Sequence, residues 1–335
     1  MRRPSLVVCA GEELFASFFS LSHQHRLTRL FRWERSGARK LTSVLRNQLL
    51  NTRALVTTWD SPRFEEDLPV IAPKLRIIAH CGGEVKARFT RKLFDQLTIT
   101  TAAEPMARAT AELGAAFLLY CARDIDSYRA ELRKRSNRIY ATLHEQGSLK
   151  ALIGRQVAMI GFGRIGRALV DLLRGFDLRW LVYDPYVSQS LANQYPVSLA
   201  PLENVLKQAS LLVLTSALTD ETRGMLGGRN LALLPDGATV INIARGGLID
   251  LGALTREVRR KRLRCALDVT DPAEPLPIGH PLRSLPGAIL TPHMGGSQVQ
   301  VRHEIASVVM DDLESFFQGK PVKNRVITSM LDRMT

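Results

Sequence analysis

A chain of 335 residues suits two domains with separate cores, and 45% hydrophobic against 23% charged residues is ordinary globular composition. No apolar run reaches the roughly 20 residues that a membrane helix needs. The cysteines Cys9, Cys81, Cys121 and Cys265 are scattered, without a CxxC pair or a histidine at metal spacing, which argues against a zinc site or disulfide frame and points to a reducing cytoplasm. A net charge of +14 raises nucleic acid as a partner, but the excess is divided between residues 1–53 and the run REVRRKRLR at 256–264. Neither segment interleaves aromatic residues or carries a nucleic-acid motif, so both read as solvated surface.

The opening MRRPSLVVCAGEE has the basic start of a signal peptide, yet its apolar stretch is short and closes on Glu12 and Glu13. It is expected to form the first strand of a soluble protein. LVVC (6–9), RALVTT (53–58), LRIIAH (75–80) and LTIT (97–100) read as strands of one unit, followed by a long apolar helix over 104–125 and a basic stretch over 129–150. The pattern restarts with QVAMIG from 156, RWLVYD (179–184), LLVLT (211–215), ATVINIA (238–244), LRCALDV (263–269) and AILTP (288–292). Helical segments separate most of these runs, which predicts a mainly parallel, doubly wound α/β sheet. A last helix is expected over about 298–318.

MIGFGRIGRAL (159–169) sets Gly161, Gly163 and Gly166 in GxGxxG spacing between an apolar strand and a helix predicted to reach about Arg174. The first glycine permits a tight turn and the second lets a pyrophosphate approach the backbone. The third lets helix and strand pack closely, with the helix N-terminus facing the anion. Asp184 ends the next strand 18 residues after Gly166, near the spacing expected of an acid that accepts hydrogen bonds from the ribose 2′-OH and repels a 2′-phosphate. Three more strand ends carry polar groups: Arg245 in INIARGGLID, Asp268 with Asp271 and Glu274 in LDVTDPAEPLP, and His293 in TPHMGGS. A guanidinium, carboxylates and an imidazole at the carboxyl edge of a dinucleotide-binding sheet form a candidate site for hydride and proton transfer.

The motifs IGFGRIG, VYDPY, LTDETRGML, INIARGGLID, LDVTDPAEPLP with a following HPL, and TPHMGGS occur in the order of the D-isomer-specific 2-hydroxyacid dehydrogenases, which the chain resembles over roughly 104–297. The resemblance implies a Rossmann NAD-binding domain, 103–297, inserted into a discontinuous flavodoxin-like α/β substrate-binding domain, 1–102 and 298–335, with the active site in the cleft between them. It implies that Arg245 grips the carboxylate and carbonyl oxygen of a 2-oxo acid, that His293 is the acid/base, and that Glu274 holds the imidazole. Gly161, Gly163, Arg164, Ile165, Gly166, Asp184, Thr215, Ala217, Thr222, Ala244, Arg245, Asp268, His293 and Gly295 are the implied NAD-binding positions, and Asp268 matches the residue that fixes the nicotinamide amide. Gly82, Gly83 and Glu84 lie where the family offers N–H groups to the substrate carboxylate, joined there by Arg245 and His293.

The chain departs from the family pattern in three places. Thr215 and Ala217 stand where a His and a Pro are frequent, and Gly83–Glu84 replaces a common Gly-x-Asp pattern. Glu274 falls six residues after Asp268 where five is usual, which leaves Asp271 as the rival partner of His293. Glu274 is favoured for its reach and for the following Pro275, with Asp271 expected to cap the turn before Pro272. The resemblance also implies a homodimer, since 129–150 sits where the family extends an arm to a partner subunit. A dinucleotide-sensing, corepressor-like regulator on the same scaffold is the alternative reading.

Overall fold

The structure is a computed structural model and describes residues 3–134 and 150–334. Most of the basic stretch expected to reach a partner subunit, residues 135–149, lies outside the described residues. The chain forms two compact units, Met1–Met106 with Gly296–Thr335, and Ala107–Gly295.

In the first unit, β1 (Ser5–Cys9), β2 (Arg32–Ser36), β3 (Ala54–Thr57), β4 (Ile77–His80) and β5 (Thr98–Thr101) make a parallel sheet. Its order is β5–β4–β3–β1–β2, and Arg325–Val326 adds an antiparallel edge next to β5. Successive residues of β1 serve two cores: Leu6 and Val8 join one apolar cluster, Val7 and Cys9 the other. Both faces of the sheet are therefore covered, which is why these strands read as continuous apolar runs. β2 escaped prediction because RWERS has no such run. It is an edge strand, and its exposed Arg32, Glu34 and Arg35 guard against pairing with another chain.

In the second unit, β6 (Gln156–Ile160), β7 (Arg179–Tyr183), β8 (Val197–Leu199), β9 (Leu211–Leu214), β10 (Thr239–Asn242), β11 (Arg264–Leu267) and β12 (Ala288–Leu290) form a fully parallel sheet. The order β8–β7–β6–β9–β10–β11–β12 reverses direction at β6. This is the doubly wound Rossmann arrangement, with its switch point between β6 and β9. Ala158 and Ile160 pack into one core, Val157 and Met159 into the other, so β6 lies between two helical layers.

The helix expected over 104–125 ends earlier, at Ala122. Asp124 adopts a left-handed φ of 54°, a conformation aspartate tolerates better than most residues, and a second helix runs over Ile125–Leu132. Arg264 holds the Asp124 carboxylate with two guanidinium nitrogens, and that pairing, with Lys150 nearby, draws the carboxyl below its usual pKa against the opposing effect of burial. The helix after the glycine loop ends at Leu172 rather than near Arg174, and a single 3-10 turn follows at Arg174–Phe176. Among the described residues no helix is long and apolar enough to cross a membrane.

Candidate active site

The glycine loop joins β6 to the helix Arg164–Leu172. Gly161 has φ +90°, and a Cβ there would meet the backbone of Ser216 at 2.4 Å, so only glycine fits. Gly163 is exposed, and a Cβ on it would meet nothing within 4 Å, which leaves its backbone open to a ligand. At Gly166 a Cβ would come within 2.9 Å of the Gly161 carbonyl and of the Met159 sulfur, so this glycine sets the close packing of helix on strand. The buried Thr215 hydroxyl donates to the Gly161 carbonyl and ties the loop to the end of β9. Arg164 and Ile165 open the helix, the first exposed and the second half-buried.

Asp184, just past β7, accepts from the Phe162 N–H at 2.7 Å with Oδ2 and from the Tyr186 N–H at 2.9 Å with Oδ1. Each oxygen keeps a further lone pair for a sugar hydroxyl. Beyond β9, the Thr222 hydroxyl accepts from the Thr219 N–H and donates to the Ala217 carbonyl, both at 2.8 Å, which folds the loop that carries Ala217. The Ser216 hydroxyl oxygen, beside Gly161, is buried without a hydrogen-bond partner among the described residues. An open Gly163, a half-satisfied acid and an orphaned hydroxyl around one loop fit a dinucleotide.

β10, β11 and β12 are consecutive neighbours, all parallel, so the segments after them leave the sheet side by side. Asn242 ends β10 fully buried. Its Oδ1 accepts from the Ala244 N–H at 3.0 Å and its Nδ2 donates to the Arg245 carbonyl at 2.9 Å, bending the chain at Arg245. The half-buried Arg245 donates from Nη1 to the Ala244 carbonyl at 2.8 Å. A Cβ on Gly246 would lie 2.2 Å from the Thr270 carbonyl carbon, so the loops after β10 and β11 touch backbone to backbone.

Asp268 is 2% exposed and organises the histidine loop. Its Oδ1 accepts from the Thr291 hydroxyl at 2.6 Å and the Met294 N–H at 2.9 Å, its Oδ2 from the Gly295 N–H at 3.0 Å, and its carbonyl from the His293 N–H at 2.9 Å. These bonds hold His293 at φ +54°, a backbone conformation that costs a β-carbon residue about 1–2 kcal/mol. The imidazole Nδ1 lies 3.0 Å from Glu274 Oε2, which leaves Nε2 as the nitrogen available for chemistry. Asp271 points elsewhere, its Oδ2 lying 3.9 Å from Arg223 on the surface. The turn it was expected to cap is instead closed by Thr270, whose hydroxyl donates to the Ala273 carbonyl at 2.7 Å.

Residues 115–295 match the D-isomer specific 2-hydroxyacid dehydrogenase, NAD binding domain family. A glyoxylate reductase of Thermococcus gammatolerans is 31% identical over 287 residues, 83% of either chain. The chain belongs to this family. It is an NAD-dependent D-2-hydroxyacid dehydrogenase by class, and NAD is its cofactor. The D-3-phosphoglycerate dehydrogenase of Methanocaldococcus jannaschii is 30% identical over 260 residues, and the dehydrogenase described here covers 48% of that relative's length. The crystal structure of a phosphoglycerate oxidoreductase from Rhizobium etli superposes with a TM-score of 0.76 at 25% identity, over 97% of this chain and 98% of that one.

In the first unit the loop after β4 is tightly built. His80 is fully buried, its Nδ1 2.9 Å from the Thr57 hydroxyl, and burial, helped by the Arg88 charge, pushes its pKa down to about 3. A Cβ on Gly82 would meet His80 Nε2 at 2.6 Å and Trp59 Nε1 at 2.9 Å. Glu84 turns its Oε1 back to accept from the Ala87 N–H at 2.9 Å, while the N–H groups of Gly83 and Glu84 have no partner among the described residues. Sequence reasoning missed Asn242 and Thr291 as builders of the two polar loops. The signal for Asn242 was present, a polar residue inside the β-branched run of INIARGG, whereas nothing local marks Thr291.

Proposed function

We propose that the enzyme reduces a small 2-oxo acid to its D-2-hydroxy acid, or runs the reverse, with Arg245, His293 and Glu274 as the acting side chains. The observation that carries the reading is the Glu274–His293 contact at 3.0 Å beside a loop built to present Arg245. When bound, NAD(H) supplies or takes up the hydride. Arg245 offers forked donors that orient a 2-oxo acid and stabilise charge growing on its oxygen. His293 gives the Nε2 proton to that oxygen as the carbon is reduced, and takes it back in the oxidation. Glu274 accepts at Nδ1, fixing the tautomer and balancing the positive charge while His293 holds a second proton.

Asp184 is proposed to select NADH over NADPH, since a 2′-phosphate would meet its carboxylate. Asp268 is proposed to hold the nicotinamide amide with what capacity its loop bonds leave. Gly82, Gly83 and Glu84 are proposed to offer main-chain N–H groups to the substrate carboxylate, which the unpartnered N–H groups of Gly83 and Glu84 support. A homodimer is part of the proposal by family likeness alone. A purely regulatory role is disfavoured because the relatives that match over most of the chain are named as a reductase and a dehydrogenase.

The test is a panel of 2-oxo acids with NADH and with NADPH, beginning with glyoxylate because of the reductase relatives. Turnover of one of them, abolished in His293→Ala, is the expected result. Tight NADH binding with no turnover across the panel would favour the sensor reading.

A further inference from the structure

β7 and β9 are the strands on either side of β6, and the glycine loop leaves the end of β6 between them. A hydrogen bond joins the segments after these two non-adjacent strands. The Tyr186 hydroxyl, from the turn after β7, donates to Glu221 Oε2 at 3.0 Å, from the loop after β9. Neither end is loose. The Tyr186 N–H is pinned to Asp184 Oδ1 at 2.9 Å, and the loop that presents Glu221 is folded by the two bonds of the neighbouring Thr222 hydroxyl. Tyr186 is 52% exposed and Glu221 is exposed, so the pair adds little to the core. An exposed tyrosine ordered at both its N–H and its hydroxyl has lost side-chain freedom with little burial in return.

We propose that Tyr186 and Glu221 form a clasp over the adenosine half of the bound dinucleotide, and that Glu221 is a second carboxylate acting against a 2′-phosphate. The acid that ends β7 marks the ribose position in this fold. Tyr186 lies two residues further on, so its aromatic face borders the nucleoside, and the bond to Glu221 fixes the ring across the end of β6. The clasp rests on the dinucleotide reading of the glycine loop and is independent of which 2-oxo acid is reduced.

The experiment measures binding, by fluorescence or calorimetric titration of AMP, nicotinamide mononucleotide, NADH and NADPH to the full chain. Tyr186→Phe keeps the ring and removes the bond, and should weaken AMP and NADH about three- to tenfold while leaving nicotinamide mononucleotide unchanged. Glu221→Gln keeps an acceptor for the phenol, so NADH should bind as in the wild type within about twofold. NADPH should gain several-fold, a gain that shrinks as salt screens the lost charge. AMP binding unchanged in both Tyr186→Phe and Glu221→Ala, or an unchanged NADPH to NADH ratio in Glu221→Gln, overturns the clasp. Wild-type protein that binds neither AMP nor NADH would overturn the cofactor site itself, a different result from intact AMP binding with indifferent variants. Both residues are exposed, and thermal unfolding of each variant checks that the fold is retained.

Discussion

Glu274 Oε2 lies 3.0 Å from Nδ1 of His293, although 19 residues separate them and a second carboxylate, Asp271, precedes Glu274 in the same turn. The pairing has a direct consequence. Glu274→Gln removes the charge that balances the imidazolium, and should lower kcat by about 10²-fold or more with NADH affinity little changed. Asp271→Asn should stay within about threefold of wild type, because its exposed partner Arg223 contributes little. Steady-state kinetics of the two variants decide it, and the reverse ranking would transfer the role to Asp271.

Arg245→Lys should lose about 10²-fold in kcat/KM while NADH still binds, because an ammonium cannot reproduce a planar fork of donors. Asn242→Ala should approach the same phenotype by freeing the turn at Arg245, with a stability loss of about 1–3 kcal/mol from the Ala244 N–H and Arg245 carbonyl left without partners. Kinetics read beside urea unfolding separate the two effects. Near-normal kcat/KM in Arg245→Lys would make this arginine a turn residue only.

Asp184→Ala should narrow the preference for NADH, chiefly by weakening NADH. Two losses would add: the acceptor proposed for the ribose hydroxyls, and the partner of the Phe162 N–H that steadies the glycine loop. Paired titrations with NADH and NADPH measure this. A wild-type enzyme equally efficient with both would end the assignment.

His80 gives a pH dependence of stability whose sign follows from its burial. Its folded pKa is about 3, below the ordinary value of 6.5, so the unfolded chain binds the extra proton between those limits. Its contribution is fully present above about pH 6.5 and is lost as pH falls towards 3, with a slope of up to about 1.4 kcal/mol per pH unit. Urea unfolding between pH 4 and 6 should show a shallower slope in His80→Asn than in the wild type, whatever the absolute stabilities. Equal slopes would mean that the buried imidazole is charged.

The thiols offer a simple check on packing. Burial pushes Cys9, Cys121 and Cys265 up to about 12, and Cys81 higher still. At pH 8 almost no thiolate is present, so a disulfide reagent should label the folded protein slowly and the urea-unfolded protein at once. Fast labelling of one thiol in the folded state would place it at a site that opens.

The sequence alone determined the features with a short-range physical cause. Apolar runs marked β1, β3 to β7 and β9 to β12, and the spacing of Gly161, Gly163 and Gly166 needs only a strand, a turn and a helix to carry its meaning. Only the tertiary structure could decide what depends on neighbours distant in the chain. RWERS is a strand because β1 lies beside it, and nothing in its own polarity says so. Arg245, Asp268 and His293 come to one edge because β10, β11 and β12 are adjacent, an order that crossover connections leave open. The choice between Asp271 and Glu274 turned on the path of a loop closed by Thr270 and pressed against Gly246. The left-handed backbone of His293 is held by a carboxylate from another strand. Hydrogen bonds and close approaches of this kind act over about 3 Å in space with no limit in sequence separation, so a linear pattern can name the participants but cannot pair them.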